Sequence, residues 1–167
     1  TAGDEKGRFR LGMGLAVMMH SGAGSRYYGY NSAGTFINIA RDGQVFLNTP
    51  ANDTGQGALT IMAQIAAEEL GVRMEDIVIV ADDTDVVPYD LGNYGSRSTW
   101  VCGQAAKAAG EEGRRQIFEA VADEWEVSVD DLQARDSEVY VSAHPEKKMT
   151  FADAASLLYD KKGVPIT

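Results

Sequence analysis

Two polar turns, each carrying glycine and each running into a helix-like segment, constrain this chain more than any other feature. The first is Asn52-Asp53-Thr54-Gly55-Gln56-Gly57, and the second is Gly92-Asn93-Tyr94-Gly95-Ser96-Arg97-Ser98-Thr99. A helix start exposes backbone N–H groups and the positive end of the peptide dipole, and both favour an anion. Arg97 sharpens the point, because a cation there opposes the dipole unless a negative group offsets it. Two such turns point to a ligand with several anionic or hydrogen-bonding groups, held from two sides.

At 167 residues the chain is long enough for one domain, here taken as residues 1–167, burying roughly 70% of its unfolded surface. The net charge of −10 makes a surface that repels nucleic acid phosphates and anionic lipid, so neither is an expected partner. No apolar run approaches the roughly 20 residues of a membrane span. The start, Thr1-Ala2-Gly3-Asp4-Glu5-Lys6, has no initiator methionine and no apolar leader. A piece of a longer protein, or a processed chain, is the expectation. One cysteine, Cys102, excludes an internal disulfide and an iron–sulfur cluster of about four thiolates. With only His20 and His144 besides, no zinc site is expected. The chain reads as cytoplasmic.

The apolar segment 8–19, with small residues interleaved, suits a strand, and a Gly/Ser/Tyr loop follows over 21–32. Segments 35–40 and 44–48 flank Asp42-Gly43, a β-hairpin signal. Residues 58–70 have helical apolar spacing, with Gly71 as the stop. Ile77-Val78-Ile79-Val80-Ala81 predicts a buried strand, ending in the acidic loop Asp82-Asp83-Thr84-Asp85. Helices are expected over about 99–109, 114–124 and 151–159, and a strand over 138–142. Ser128-Val129-Asp130-Asp131 resembles a capping box with Asp in the Glu position. The segments 66–77 and 122–132 both read as helix, tight turn, strand. The sum is an α+β chain with a mixed sheet, a hairpin and packed helices.

Each turn has a structural and a functional reading. For the first, Thr54 or Asp53 is an N-cap, or Gln56 presents its amide to a polar ligand that the glycines let approach the backbone. For the second, the hydroxyls of Ser96, Ser98 and Thr99 with Arg97 form a phosphate cradle, or Arg97 bridges to the loop 82–85. That acidic loop lacks the full set of about six oxygen ligands for a metal. His20 reads as structural and Cys102 as packing, while Tyr27, Tyr28 and Tyr30 suit a lid or contact surface. No nucleophile–base arrangement can be assembled, so no catalytic residue is named.

In order and spacing, the hairpin, Thr54-Gly55-Gln56-Gly57, the helix 60–70, Glu75-Asp76-Ile77, Asp83-Thr84-Asp85, Pro88 and Tyr94-Gly95-Ser96-Arg97-Ser98-Thr99 resemble a known family. It is the molybdenum-binding subunit of the xanthine dehydrogenase and aldehyde oxidase family, matched from about residue 7 to residue 119. The run 52–57 and the tail 160–165 are most similar to the 4-hydroxybenzoyl-CoA reductase type. The resemblance implies that Thr54, Gly55, Gln56 and Gly57 contact the pterin of the molybdenum cofactor. It implies that Asn93, Tyr94, Gly95, Ser96, Arg97, Ser98 and Thr99 wrap its pyrophosphate and dithiolene end. The Gly-Ser-Arg-Ser-Thr wording is similar to members carrying molybdopterin cytosine dinucleotide. The metal is held by the cofactor's sulfurs, so protein Cys and His ligands are not needed.

Family members are several times longer. Their catalytic glutamate lies in a Gly-Glu motif downstream, and another cofactor-binding half lies upstream of the matched region. The chain is therefore expected to form one wall of the site, with no cofactor bound and no turnover on its own. Implied partners are the rest of the molybdenum subunit and iron–sulfur and flavin domains or subunits. The alternative is a stand-alone, non-catalytic module for a phosphate ligand or a protein partner.

Overall fold

The computed structural model describes residues 12–19 and 29–163. The hairpin forms where Asp42-Gly43 marks it. Strands β1 (Phe36–Ile39) and β2 (Val45–Asn48) pair antiparallel, with Ile37 opposite Leu47. Gly43 turns the chain at φ 84°, and the Asp42 carboxylate accepts from the Gln44 N–H at 3.1 Å. From β2 the chain passes through helix α1 (Ala58–Leu70) to strand β3 (Ile77–Val80), which lies parallel to β2. The first sheet thus has the order β1-β2-β3.

Helix α2 (Ser98–Trp125) then runs across this sheet as one 28-residue element. The expected break near residue 110 does not occur. Gly110 and Gly113 look like stops, yet they serve close packing. A Cβ on Gly110 would come 2.8 Å from Glu69 Cβ, and one on Gly113 would come 3.1 Å from Leu70 Cδ2. Gly103 meets Ile65 in the same way, so contacts advance along both helices together. The helices α1 and α2 are therefore parallel, and their N-termini lie at the same end.

Beyond α2 a second sheet, β4-β5-β6, is an antiparallel meander of β4 (Leu132–Arg135), β5 (Glu138–Val141) and β6 (His144–Thr150). Helix α3 (Phe151–Lys162) closes the fold, capped by the Thr150 hydroxyl, which accepts from the Asp153 N–H at 3.1 Å. One hydrophobic cluster joins the layers, from Ile39, Val45 and Leu47 through Met62, Leu70, Ile117 and Val121 to Val139, Phe151 and Leu158. The arrangement is α+β, as expected.

The echo between 66–77 and 122–132 has a structural counterpart. Each helix ends in a left-handed residue, Gly71 or Glu126, followed by a short 3-10 turn, Met74–Asp76 or Val129–Asp131, and a strand. Ser128 caps that second short turn rather than a longer helix.

Two other expectations are corrected. Strand β3 is an edge strand, and Val78 on it is exposed, because no further strand covers its outer side among the described residues. Residues 12–19, the described part of the apolar segment 8–19, form no strand and lie exposed, because no neighbouring strand pairs with them. His20, Tyr27, Tyr28 and residues 164 and 165 lie outside the described residues. Tyr30 is exposed.

The turn after α1 gives a direct test. Gly71 has φ 74°, and a Cβ there would lie 2.4 Å from Ala134 Cβ. Gly163 has φ 68° with nothing within 4 Å. Gly163→Ala is expected to cost about 1 kcal/mol for the left-handed backbone alone. Gly71→Ala adds overpacking of roughly 1–3 kcal/mol, a difference read from urea unfolding of the two variants.

Candidate functional site

The parallel helices bring the two polar turns together. A cleft of about 410 Å³ is lined by Thr54 and Gln56 from the first turn and by Asn93, Tyr94, Gly95, Ser96, Ser98 and Thr99 from the second. Asn93 ties the turns, its amide donating to the Asn52 carbonyl and accepting from the Ser98 hydroxyl. Gly55, Gly57 and Arg97 do not line this cleft.

The first turn is organised by a carboxylate. Asp53 accepts from the N–H groups of Gly55 at 2.8 Å, Gly57 at 3.3 Å and Leu59 at 3.4 Å. It therefore fills the anion position at the start of α1 with a group of the chain's own. The Gly55 N–H, then those of Gly57, Leu59 and Ala58, hold the Asp53 carboxyl below its ordinary range. Gln56 also folds its own turn. Its Oε1 accepts from the Thr54 N–H at 2.7 Å and hydroxyl at 2.9 Å, and its Nε2 donates to the Asn52 carbonyl at 2.9 Å. One of its two N–H hydrogens is left for a ligand.

The second turn is organised by a buried guanidinium. Arg97, with no side-chain exposure, pairs with Asp90 at 2.7 Å. It also donates to the Asn31 amide oxygen at 2.7 Å and to the carbonyls of Gly92 and Ser32, each at 2.8 Å. A bridge from Ala33 to Asp90 fastens the same segment. Neither a phosphate-facing Arg97 nor a bridge to the loop 82–85 is what the fold adopts. Sequence reasoning missed Asn31, Ser32 and Asp90; an aspartate seven residues before Arg97 was the available signal. Cys102, buried beside this pair, has its thiol pushed up to about 11 by burial and then by the Asp90 carboxylate. It stays protonated at neutral pH.

Ser96 and Gly95 both have φ 57°, which lifts the chain into the cleft rim before α2 begins. Among the described residues, no side chain caps the start of α2. Its first N–H groups, beside the hydroxyls of Ser96, Ser98 and Thr99, keep their capacity for an anion. The chemistry offered is polar binding from one wall. Among the described residues, no group of His, Cys, Asp and Glu is placed to hold a metal directly.

Two outcomes test this geometry. Removing one partner of a buried ion pair strands the other, so Arg97→Met should lower the unfolding free energy by about 3–5 kcal/mol in urea titrations. For Asp53 the folded carboxyl lies below the ordinary value of 3.8, so its stabilisation is complete above that pH and is lost as pH falls through the lower folded value. The amide proton resonances of Gly55 and Gly57 should titrate with a midpoint below 3.8. Asp53→Asn should abolish the transition, and a wild-type midpoint at or above 3.8 contradicts the assignment.

Comparison with known proteins places this geometry. The sequence matches the profile of the molybdopterin cofactor-binding domain across residues 1–167. It is 33% identical over 143 residues to 6-hydroxypseudooxynicotine dehydrogenase complex subunit gamma of Paenarthrobacter nicotinovorans, covering 81% of this chain and 17% of that one. It is 36% identical over 124 residues to the carbon monoxide dehydrogenase large chain of Afipia carboxidovorans, covering 74% and 15%. Among solved structures, quinoline 2-oxidoreductase from Pseudomonas putida 86 superposes with a TM-score of 0.73 at 28% identity, covering 86% of this chain and 19% of that one. The chain thus spans less than a fifth of the length of these relatives. Matched along its whole length, this chain belongs to the molybdopterin cofactor-binding domain family.

Proposed function

We propose that the chain forms one wall of a molybdopterin site, with the second turn seating the pyrophosphate and dithiolene end and the first turn the pterin. The observation that supports this most is the shared cleft of about 410 Å³, to which both turns contribute. The ends are assigned by the two helix starts. Asp53 already accepts from the N–H groups of Gly55, Gly57 and Leu59 at the entry to α1, so its turn offers the neutral groups of Thr54 and Gln56 to a heterocycle edge. The uncapped start of α2, with Ser96, Ser98 and Thr99, suits pyrophosphate oxygens. Arg97 acts as a positioning residue, its charge compensated by Asp90 beneath the turn.

When bound, the cofactor supplies oxygen and electron transfer at its metal. The residues of this chain bind it, orient it and shield one side. None of them is assigned as the catalytic base. By kinship with the carbon monoxide dehydrogenase and 6-hydroxypseudooxynicotine dehydrogenase subunits, the complete protein is a molybdenum-dependent oxidoreductase of the xanthine dehydrogenase family. The 167 residues are one domain of its cofactor-binding region, with the other walls supplied by protein outside them. Its proposed partners are the rest of the molybdenum subunit and iron–sulfur and flavin domains or subunits, in the cytoplasm. The Gly-Ser-Arg-Ser-Thr run supports the cytosine dinucleotide form of the cofactor.

The test is molybdenum content, by elemental analysis, of the complete protein carrying Gln56→Ala or the double change Ser96→Ala, Thr99→Ala. Losing one or two neutral hydrogen bonds should weaken retention by roughly tenfold. Molybdenum content and activity unchanged in both variants would overturn the assignment.

A further inference from the structure

The carbonyl of Asn52 is shared by both turns. It accepts from Gln56 Nε2 at 2.9 Å and from the amide nitrogen of Asn93, so one side chain of each turn fills one of its two lone pairs. The Asn52 amide donates in turn to Asp82 Oδ1 at 3.4 Å, in the loop that follows β3. The exits of the parallel strands β2 and β3 and the two turns therefore converge on one residue.

The two sides of this bridge are built differently. Asn93 stands on backbone fixed from beneath: the N–H of the neighbouring Gly92 donates to Asp90 Oδ2 at 2.8 Å, and the Gly92 carbonyl accepts from Arg97 at 2.8 Å. Asn93 Oδ1 accepts from the Ser98 hydroxyl, which sets the direction in which its amide nitrogen faces. On the other side, residues 52–56 are exposed, and Asp53 and Gln56 bond to groups of their own turn and the start of α1.

We propose, resting on the molybdopterin reading of the cleft, that Asn93 is a positioning residue that acts through the Asn52 carbonyl. It holds the Gln56 amide at the angle from which its remaining N–H meets a ligand, so the two turns grip as a unit. A carbonyl engaged by two donors has its direction fixed, and each donor is confined by the other. An exposed turn ordered in advance takes less from the binding free energy than one that must be ordered by its ligand. Gln56 Oε1 accepts from the Thr54 N–H at 2.7 Å, so the Thr54 amide reports whether Gln56 keeps its place.

Two measurements on the complete protein test this. The first is hydrogen–deuterium exchange without cofactor, resolved to the Thr54 amide. Asn93→Ala and Asn93→Asp both remove the donor to Asn52, and each should speed Thr54 exchange about fivefold, the equivalent of one lost hydrogen bond. Thr99→Ala alters the same cleft without touching the bridge and should leave that exchange at the wild-type rate. Unchanged exchange in the Asn93 variants, or equal acceleration by Thr99→Ala, overturns the proposal. The second is the rate of molybdenum loss on dialysis of the loaded protein, by elemental analysis. Asn93→Ala should raise it about fivefold alone, and by less than about twofold when Gln56→Ala is already present, because its effect passes through Gln56. A double variant whose rate is the product of the two single effects overturns the proposal. Wild-type loss in Asn93→Ala alone overturns only the positioning role. Wild-type loss in both single variants overturns the cofactor reading and the positioning role with it.

Discussion

The buried side chain of Arg97 is the interaction on which the site depends. Its guanidinium spends its donors on Asp90, Asn31 and the carbonyls of Gly92 and Ser32, joining the loop before α2 to the segment entering β1. A planar fork of fixed donors suits this task, since each bond it makes limits the directions of the rest. Lysine would bring one point charge to the same place and leave carbonyls unmet. Because Asp90 neutralises the cation, the turn above it feels little net charge from either. The residue that looks most like an anion receptor in sequence thereby becomes the frame for others that face the cleft.

That frame matters because of how the helices pack. The contacts of Gly103, Gly110 and Gly113 with successive residues of α1 set the two helices parallel and close. Parallel helices place two positive dipole ends side by side, which is unfavourable unless negative charge is brought to them. The small residues that allow the approach also create the electrostatic need at the cleft. Packing and binding capacity are two consequences of one sequence pattern.

Much of the fold was legible in the sequence, for local reasons. Asp42-Gly43 gave away the hairpin, and helix α1 ran from Ala58 to Leu70 between glycines that both adopt left-handed φ. What escaped was non-local. Gly110 and Gly113 read as helix breaks because their packing partners, Glu69 and Leu70, lie over forty residues away. Ile77-Val78-Ile79-Val80 read as buried, because apolar content does not say whether a strand is central or at an edge. Strand β6 passed unnoticed, since it is polar and exposed along most of its length and lacks an alternating signal. At the site, the residue types were visible while their division of labour was not. Thr54, Gln56, Ser96, Ser98 and Thr99 meet at one cleft, whereas Asp53 turns to the N–H groups of its own turn and Arg97 to Asp90, Asn31 and two carbonyls beneath the second turn.

The two helix starts are treated differently, and the difference gives the cleft a direction. At α1, Asp53 delivers a carboxylate to N–H groups that would otherwise call for an external anion. At α2 nothing equivalent is provided, although Asn93, Ser96 and Ser98 sit close enough in sequence to have evolved into a cap. Instead the Ser98 hydroxyl turns to Asn93, and Asn93 turns to Asn52. The polar side chains beside α2 are thus spent on fixing one turn against the other, and no side chain among the described residues fills its N–H groups. A ligand neutral at one end and anionic at the other can satisfy both turns in one orientation; reversed, it would set its anion against the Asp53 carboxylate.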